Sequence, residues 1–342
     1  MRRAAVFAMV LAVAGGCTAK REESPRVAAP GETEERSPAG DEAGARGPEA
    51  VVIADKLRVR ADGSLQDDVV GELERGAVVK LEGEDRYDDD SGLVWAQISA
   101  DTVQGWAALD FMLPLKSYEA VRPAERAAEA GDAATMVAEL KKLRRTGDSK
   151  VKPSLVVAPS GKRALAELYD GGGGLTPDNV FIEVGTGLRR NFPRLVILGA
   201  ARWSGDEKFA AFPEVFSFTG GNVYRLVLFD VGRNDVLRLG FAPYERGGGG
   251  EPAWAFAGGY FVWLGFDETK NHDYVPRLSA LKLTTRERSV VLAADRADVV
   301  ADVSSLPKVK LKPTAAVPAD VAACELYRRN AGKYVSYGEA GG

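Results

Sequence analysis

Residues 151–293 repeat themselves, and that repeat limits the fold more than any other feature of the chain. A small-residue entry, a tight turn and an apolar strand recur in segments 156–165, 199–209 and 251–260. An apolar strand and a second turn follow each, in segments 180–187, 223–232 and 278–285. The second turns, at Gly185, Gly232 and Thr284, lie 47 and 52 residues apart. A period of this length with about four strands per unit is a propeller-like signal. The 38 Gly and 17 Pro supply the turns that so many short strands need. With 342 residues and 45% apolar content, the chain has material for about two domains with a real core.

The turn Trp203-Ser204-Gly205-Asp206, followed by an apolar strand, resembles the TolB-type propeller repeat. Ser160-Gly161-Lys162-Arg163 keeps the turn without the Trp, and Trp254-Ala255-Phe256 keeps the Trp without the Ser. The resemblance implies four-stranded sheets arranged as blades. A closed ring usually takes at least four of them. Either residues 294–342 supply an irregular fourth unit or the sheets stay open. The glycine runs 171–174 and 247–250 lack the Lys-Ser or Lys-Thr and the helix of a phosphate cradle, so they are expected to be loop tips.

Segment 50–114 has a different grain. Leu57-Arg58-Val59-Arg60 alternates apolar and charged, the period of a half-buried strand. Short strands are expected at 69–73, 77–81, 94–98 and 103–107 as well, and five of them in so few residues suggest a small closed or half-closed barrel. Leu57-Arg58-Val59-Arg60, Val70-Gly71-Glu72-Leu73 with Gly76, Trp95-Ala96-Gln97-Ile98 and Gly105-Trp106-Ala107 together resemble the bacterial SH3-type (SH3b) domain. The resemblance implies a non-catalytic module of envelope proteins, some members of which bind peptidoglycan peptides. Trp95, Trp106 and Tyr87 are its candidate ligand contacts, because aromatic rings pack well against sugars and peptides. The competing role for the two tryptophans is to fill the ends of the barrel. Asp88, Asp89 and Asp90 lack the alternating ligands and the distal Glu of a calcium loop, and fit a solvated hairpin tip.

Residues 115–147 are rich in Ala, Glu, Lys and Arg, and Met136, Val137, Leu140 and Leu143 form one helical stripe. Gly131-Asp132 divides the run into two short helices, with Asp132 placed to cap the second. This helical spacer is expected to join the barrel to the β-repeat segment 148–342.

The amino end gives an address. Arg2 and Arg3 precede an uncharged run from Ala4 to Gly16. As a helix this run spans about 20 Å, short of a bilayer core of about 30 Å, and reads as a secretory signal. Ala14-Gly15-Gly16-Cys17 resembles a bacterial lipobox, which implies lipidation of Cys17. Thr18 after the Cys implies, by resemblance to bacterial sorting rules, the outer membrane of a Gram-negative envelope, with the protein facing the periplasm or the surface. The alternative is ordinary secretion to the periplasm, with cleavage after Ala12-Val13-Ala14. Segment 18–49 alternates Pro, Gly and charge with Val27 as its one large aliphatic before residue 49, and is expected to be a disordered tether reaching about 30 Å.

Composition narrows the chemistry. Forty-five basic against 49 acidic residues give a net charge of -4, which argues against a nucleic-acid partner. One His, His272, and two Cys, Cys17 and Cys324, leave no His after Cys324, where a cell-wall peptidase of the papain-like type would place it, and too few ligands for a His-based zinc site. No G-x-S-x-G elbow is present. No cofactor, metal or catalytic residue is therefore expected. The fold expected is mostly β: a small SH3-like barrel, a short helical spacer and a propeller-like β-repeat. The function expected is an envelope-anchored binding and scaffolding lipoprotein that contacts peptidoglycan or envelope proteins. The alternative is an envelope enzyme that works through two carboxylates in the β-repeat segment.

Overall fold

The computed structural model describes residues 48–88, 91–143, 154–168, 178–194, 196–218, 221–242, 253–268, 274–294, 309–314 and 316–335. Cys17, nearly all of the tether, both glycine runs, Asp89, Asp90 and His272 lie outside the described residues.

The chain is mostly β, beginning with a curled antiparallel sheet. Its strands are β1 (Glu49–Val52), β2 (Lys56–Arg60), β3 (Val69–Glu74), β4 (Val78–Tyr87), β5 (Val94–Ala100), β6 (Val103–Ala108) and β7 (Met112–Pro114). They lie in the order β3-β2-β6-β5-β4-β1-β7. Leu57 and Val59 turn inward to the core with Val79, Ile98 and Met112, while Lys56 and Arg58 face water. That is the alternation of a sheet with one dry face. The strands β1 and β7 add to the five that alternation marks. They are too short for a periodic signal, and their pairing is non-local. Gly105 is required at the crossing of β6 with β2, where a Cβ would stand 2.5 Å from the Arg60 carbonyl oxygen.

Two helices follow, α1 (Leu115–Glu129) and α2 (Ala133–Lys142). Asp132 caps α2 by accepting the Thr135 N–H at 2.9 Å. The helix α1 runs through Pro123, because burial of Val121, Ala124, Ala127 and Ala128 outweighs the hydrogen bond that a proline cannot donate.

Three blade-like antiparallel units then succeed one another. The first holds β8 (Leu155–Val157), β9 (Arg163–Leu168), β10 (Asp178–Glu183) and β11 (Gly187–Asn191). The second holds β12 (Arg202–Trp203), β13 (Phe209–Phe218), β14 (Gly221–Asp230) and β15 (Asp235–Ala242). The third holds β16 (Trp254–Ala257), β17 (Tyr260–Glu268), β18 (Tyr274–Lys282) and β19 (Arg288–Ala293). A backbone pair between Phe241 and Phe266 joins the second unit to the third. The C-terminal part contributes β20 (Val309–Lys310), β21 (Lys312–Pro313), α3 (Ala319–Ala323), α4 (Glu325–Asn330) and β22 (Tyr334–Val335). Strand β21 extends the third unit beside β19, and β20 pairs with β22.

Strands buried on both faces read as continuous apolar runs, and these do. In the first unit, Ala164, Ala166, Val180 and Ile182 pack against α1 and α2, while Leu165 and Phe181 face the second unit. In the second, Ala210, Phe212, Val227 and Phe229 look back to the first, while Ala211, Leu226 and Leu228 look forward to the third. In the third, Phe261 and Trp263 look back, while Val262, Leu264 and Leu278 pack against Val321 and Leu326 of α3 and α4. Among the described residues no fourth four-stranded unit forms. Helices cover both outer faces of the stack instead.

The repeat is also written in the backbone. Gly187, Asn234 and Arg286 have φ of 75°, 50° and 61° at equivalent turns. They lie 47 and 52 residues apart, the spacing of the turns themselves. Asn234 reaches back to donate to the Arg189 carbonyl of the first unit at 3.2 Å. Arg286 reaches back to Asp230 and Asp235 of the second at 2.9 and 2.8 Å. Before the first unit there is a helix rather than a sheet. Gly187 leaves room there for Glu125 and Glu129, either of which would stand 3.1 Å from a Cβ.

Candidate binding site

The outward face of the curled sheet carries the most distinctive side chains. Val94 and Ala96 point into the core, so Trp95 between them points out. Arg86 stands opposite it on β4, and Ala108 on β6. The loop after β2 folds down over Trp95, leaving it 2% exposed. Only glycine permits this: a Cβ on Gly63 would lie 3.0 Å from the Trp95 Cβ and 2.9 Å from Arg86 Nη2. Arg60 holds the loop from below by donating to the Asp67 carbonyl at 2.6 Å. The Trp95 indole Nε1–H is buried without a hydrogen-bond partner.

Trp106 stands on the same face, paired with Arg60 on one side and Gln97 on the other. It is half-buried, with the Arg86 guanidinium 5.0 Å from its ring centroid. Asp62 pairs with Arg86 Nη2 at 2.8 Å and accepts the Gly63 N–H at 2.8 Å. The Gly63 N–H chiefly, with Arg86 adding to it, holds the Asp62 carboxyl below its ordinary range. Asp62 thus fixes the orientation of Arg86, and Arg86 fixes the ring. Leu65, Val69 and Val70 lie on the adjoining loop and on the edge strand β3, each about half exposed (49%, 46% and 49%). Arg60 stands between Trp106 and Val69 in register, so a half-buried ring, a half-exposed valine and the Arg86 guanidinium share this face. Such a surface suits a carboxylate attached to an apolar or sugar-like body.

Tyr87 has a different setting. The guanidiniums of Arg194 and Arg238 lie 4.2 and 5.4 Å from its ring centroid, and its hydroxyl accepts from Arg225 at 3.1 Å. Glu214, 1% exposed, pairs with Arg194 at 2.7 Å and Arg238 at 2.9 Å. Arg238 also donates to the Gly92 carbonyl. Tyr87 therefore joins the curled sheet to the second blade-like unit. Nearby, Arg190 pairs with Asp110 at 2.6 Å, and both are buried. Sequence reading singled out the aromatic rings and missed Arg86, Asp62 and this arginine junction. Cross-strand register brings Arg86 beside Trp95 and Trp106, and no local pattern encodes it.

Among the described residues, no group of three or more His, Cys, Asp or Glu is placed to hold a metal ion. No helix among them is long and apolar enough to cross a membrane. No family model matches the chain, and no curated protein matches it. Among solved structures the chain is similar to one described as the crystal structure of the tricorn protease, at 7% identity and a TM-score of 0.21. That alignment covers 82% of this chain and 34% of the other, so the chain spans about a third of that protein's length.

Proposed function

We propose that this chain is an envelope lipoprotein, anchored through lipid on Cys17, whose SH3b-like sheet binds cell-wall material. The supporting observation is the half-buried Trp106 stacked under an Arg86 that Asp62 holds in place. Past Arg60 in the same register lies the half-exposed Val69 of the edge strand. A carboxylate-bearing stem peptide of peptidoglycan matches that chemistry: Arg86 takes the carboxylate and the ring takes the apolar body. The TolB-like stack, covered at both ends, serves as the scaffold behind this surface. The test is co-sedimentation of the full chain with purified peptidoglycan. The full chain is expected to pellet, and Trp106→Ala and Arg86→Ala each to lower the bound fraction about 10-fold, the loss expected for one charge-assisted or aromatic contact. A full chain that stays in the supernatant turns the proposal toward protein partners. A Cys17→Ala variant is expected to leave the membrane fraction, and one that still pellets with membranes counts against the lipid anchor.

A further inference from the structure

A second surface lies at the far end of the stack. Strand β16 pairs with β17 from Trp254↔Trp263 to Ala257↔Tyr260, and among the described residues it pairs with no other strand. Antiparallel pairs alternate between hydrogen-bonded and non-bonded positions. The two-residue turn Gly258-Gly259 makes Ala257↔Tyr260 a bonded pair. The Leu264 N–H donating to the Ala253 carbonyl at 2.8 Å keeps the same phase. Trp254 and Phe256 therefore point their backbone N–H and C=O away from β17.

A cavity of about 640 Å³ runs along β16, with α3 and α4 as its opposite wall. Successive residues from Trp254 to Gly258 all line it, so it meets the strand at its edge and not at one face. Trp254, 3% exposed, keeps its indole N–H without a hydrogen-bond partner. Asp320 and Glu325 stand on the helical wall against one guanidinium, that of Arg329. We propose that this groove takes an extended peptide of a partner protein, which adds to the sheet as a strand beside β16. Its side chains alternate between two faces. Basic residues at every second position meet Asp320 and Glu325, and apolar residues between them lie beside Phe256. Backbone bonds to Trp254 and Phe256 supply the affinity, and the alternate side chains supply the selection. This proposal is independent of the Trp106–Arg86 surface.

The probe is the fluorescein-labelled hexapeptide Val-Lys-Val-Lys-Val-Lys, titrated with the full chain by fluorescence anisotropy at physiological salt. Saturable one-to-one binding is expected. Phe256→Pro deletes the outward N–H and leaves the β16–β17 ladder intact, since an edge strand tolerates proline on its free side. It is expected to weaken binding about 10-fold, whereas Phe256→Leu, which keeps the N–H, stays within about 3-fold. Replacing Asp320 and Glu325 together by Asn and Gln is expected to weaken binding about 5-fold. The amides of Trp254 and Phe256 should gain hydrogen-exchange protection when the peptide is added to the unsubstituted chain, a readout that survives if Phe256→Pro fails to fold. Absence of saturable binding overturns the proposal. So does equal binding of Val-Lys-Pro-Lys-Val-Lys, or no gain in protection at Trp254 and Phe256. Self-association of the chain through this edge, with the peptide unable to compete, overturns it in favour of a second copy.

Discussion

Two neighbouring strands of the curled sheet each carry a tryptophan on the same outward face, and only one keeps part of its ring exposed. Trp95 lies beneath the Gly63 loop, while Trp106 retains a surface under Arg86. The difference comes from a single position. Any side chain at Gly63 would lift the loop, so Gly63→Val is expected to cost about 2–3 kcal/mol by overpacking. Urea unfolding measures the loss, and it should be accompanied by increased quenching of tryptophan fluorescence. At Glu125 the effect is one of charge. Burial, chiefly, raises its carboxyl pKa above the ordinary value, despite the Tyr118 hydroxyl and Arg75 at 3.2 Å. The folded state thus holds this proton more tightly than the unfolded state. The contribution of Glu125 to stability is full below the ordinary carboxylate range and declines as pH rises through the raised value. Glu125→Gln mimics the protonated form. It is expected to remove that decline and to leave the protein at least as stable as the unsubstituted chain at neutral pH, as thermal melts from about pH 3, below the ordinary carboxylate value, up to neutral pH would show.

At the scale of elements, the turns that set the period also join the units. Arg286 adopts φ of 61° and makes two ion pairs to the preceding unit, with Asp230 itself buried. Arg286→Ala loses both pairs and keeps the left-handed backbone. The expected cost is about 2–4 kcal/mol in chemical denaturation, with Arg286→Gly milder by the conformational share of about 1 kcal/mol. Helix α1 gives the opposite case. Pro123 is exposed in its interior. Pro123→Ala is expected to raise stability by about 1–3 kcal/mol and to lift the melting temperature. The division of 115–147 into two helices capped at Asp132 was legible, because capping is a local pattern. The passage of α1 through Pro123 was not, because it rests on tertiary burial of Val121, Ala124 and Ala128.

On the scale of the whole molecule, the sheets form a stack in which each layer buries both faces against its neighbours, and helices close both ends. Such an array depends on its end caps. Truncation after residue 294 removes α3 and α4 and uncovers Val262, Leu264 and Leu278 on the outer face of the third unit. The truncated chain is expected to bind a hydrophobic dye several-fold more strongly and to aggregate, while a chain of unchanged dye binding would show the cap to be dispensable. The period, the positions of the turns, the strand alternation in 57–60 and the continuous apolar runs were all legible in the chain, because they arise from contacts between residues near in sequence or from the burial of each strand's own faces. The amino acids alone also singled out three rings, Trp95, Trp106 and Tyr87, as candidates. Only the tertiary structure decided that Trp95 is covered, that Tyr87 meets Arg194 and Arg238, that Arg86 lies over Trp106, and that, among the described residues, helices rather than a fourth sheet cover the ends. Those outcomes depend on register and on which layers meet, and residues brought together across many positions leave no periodic trace in the sequence.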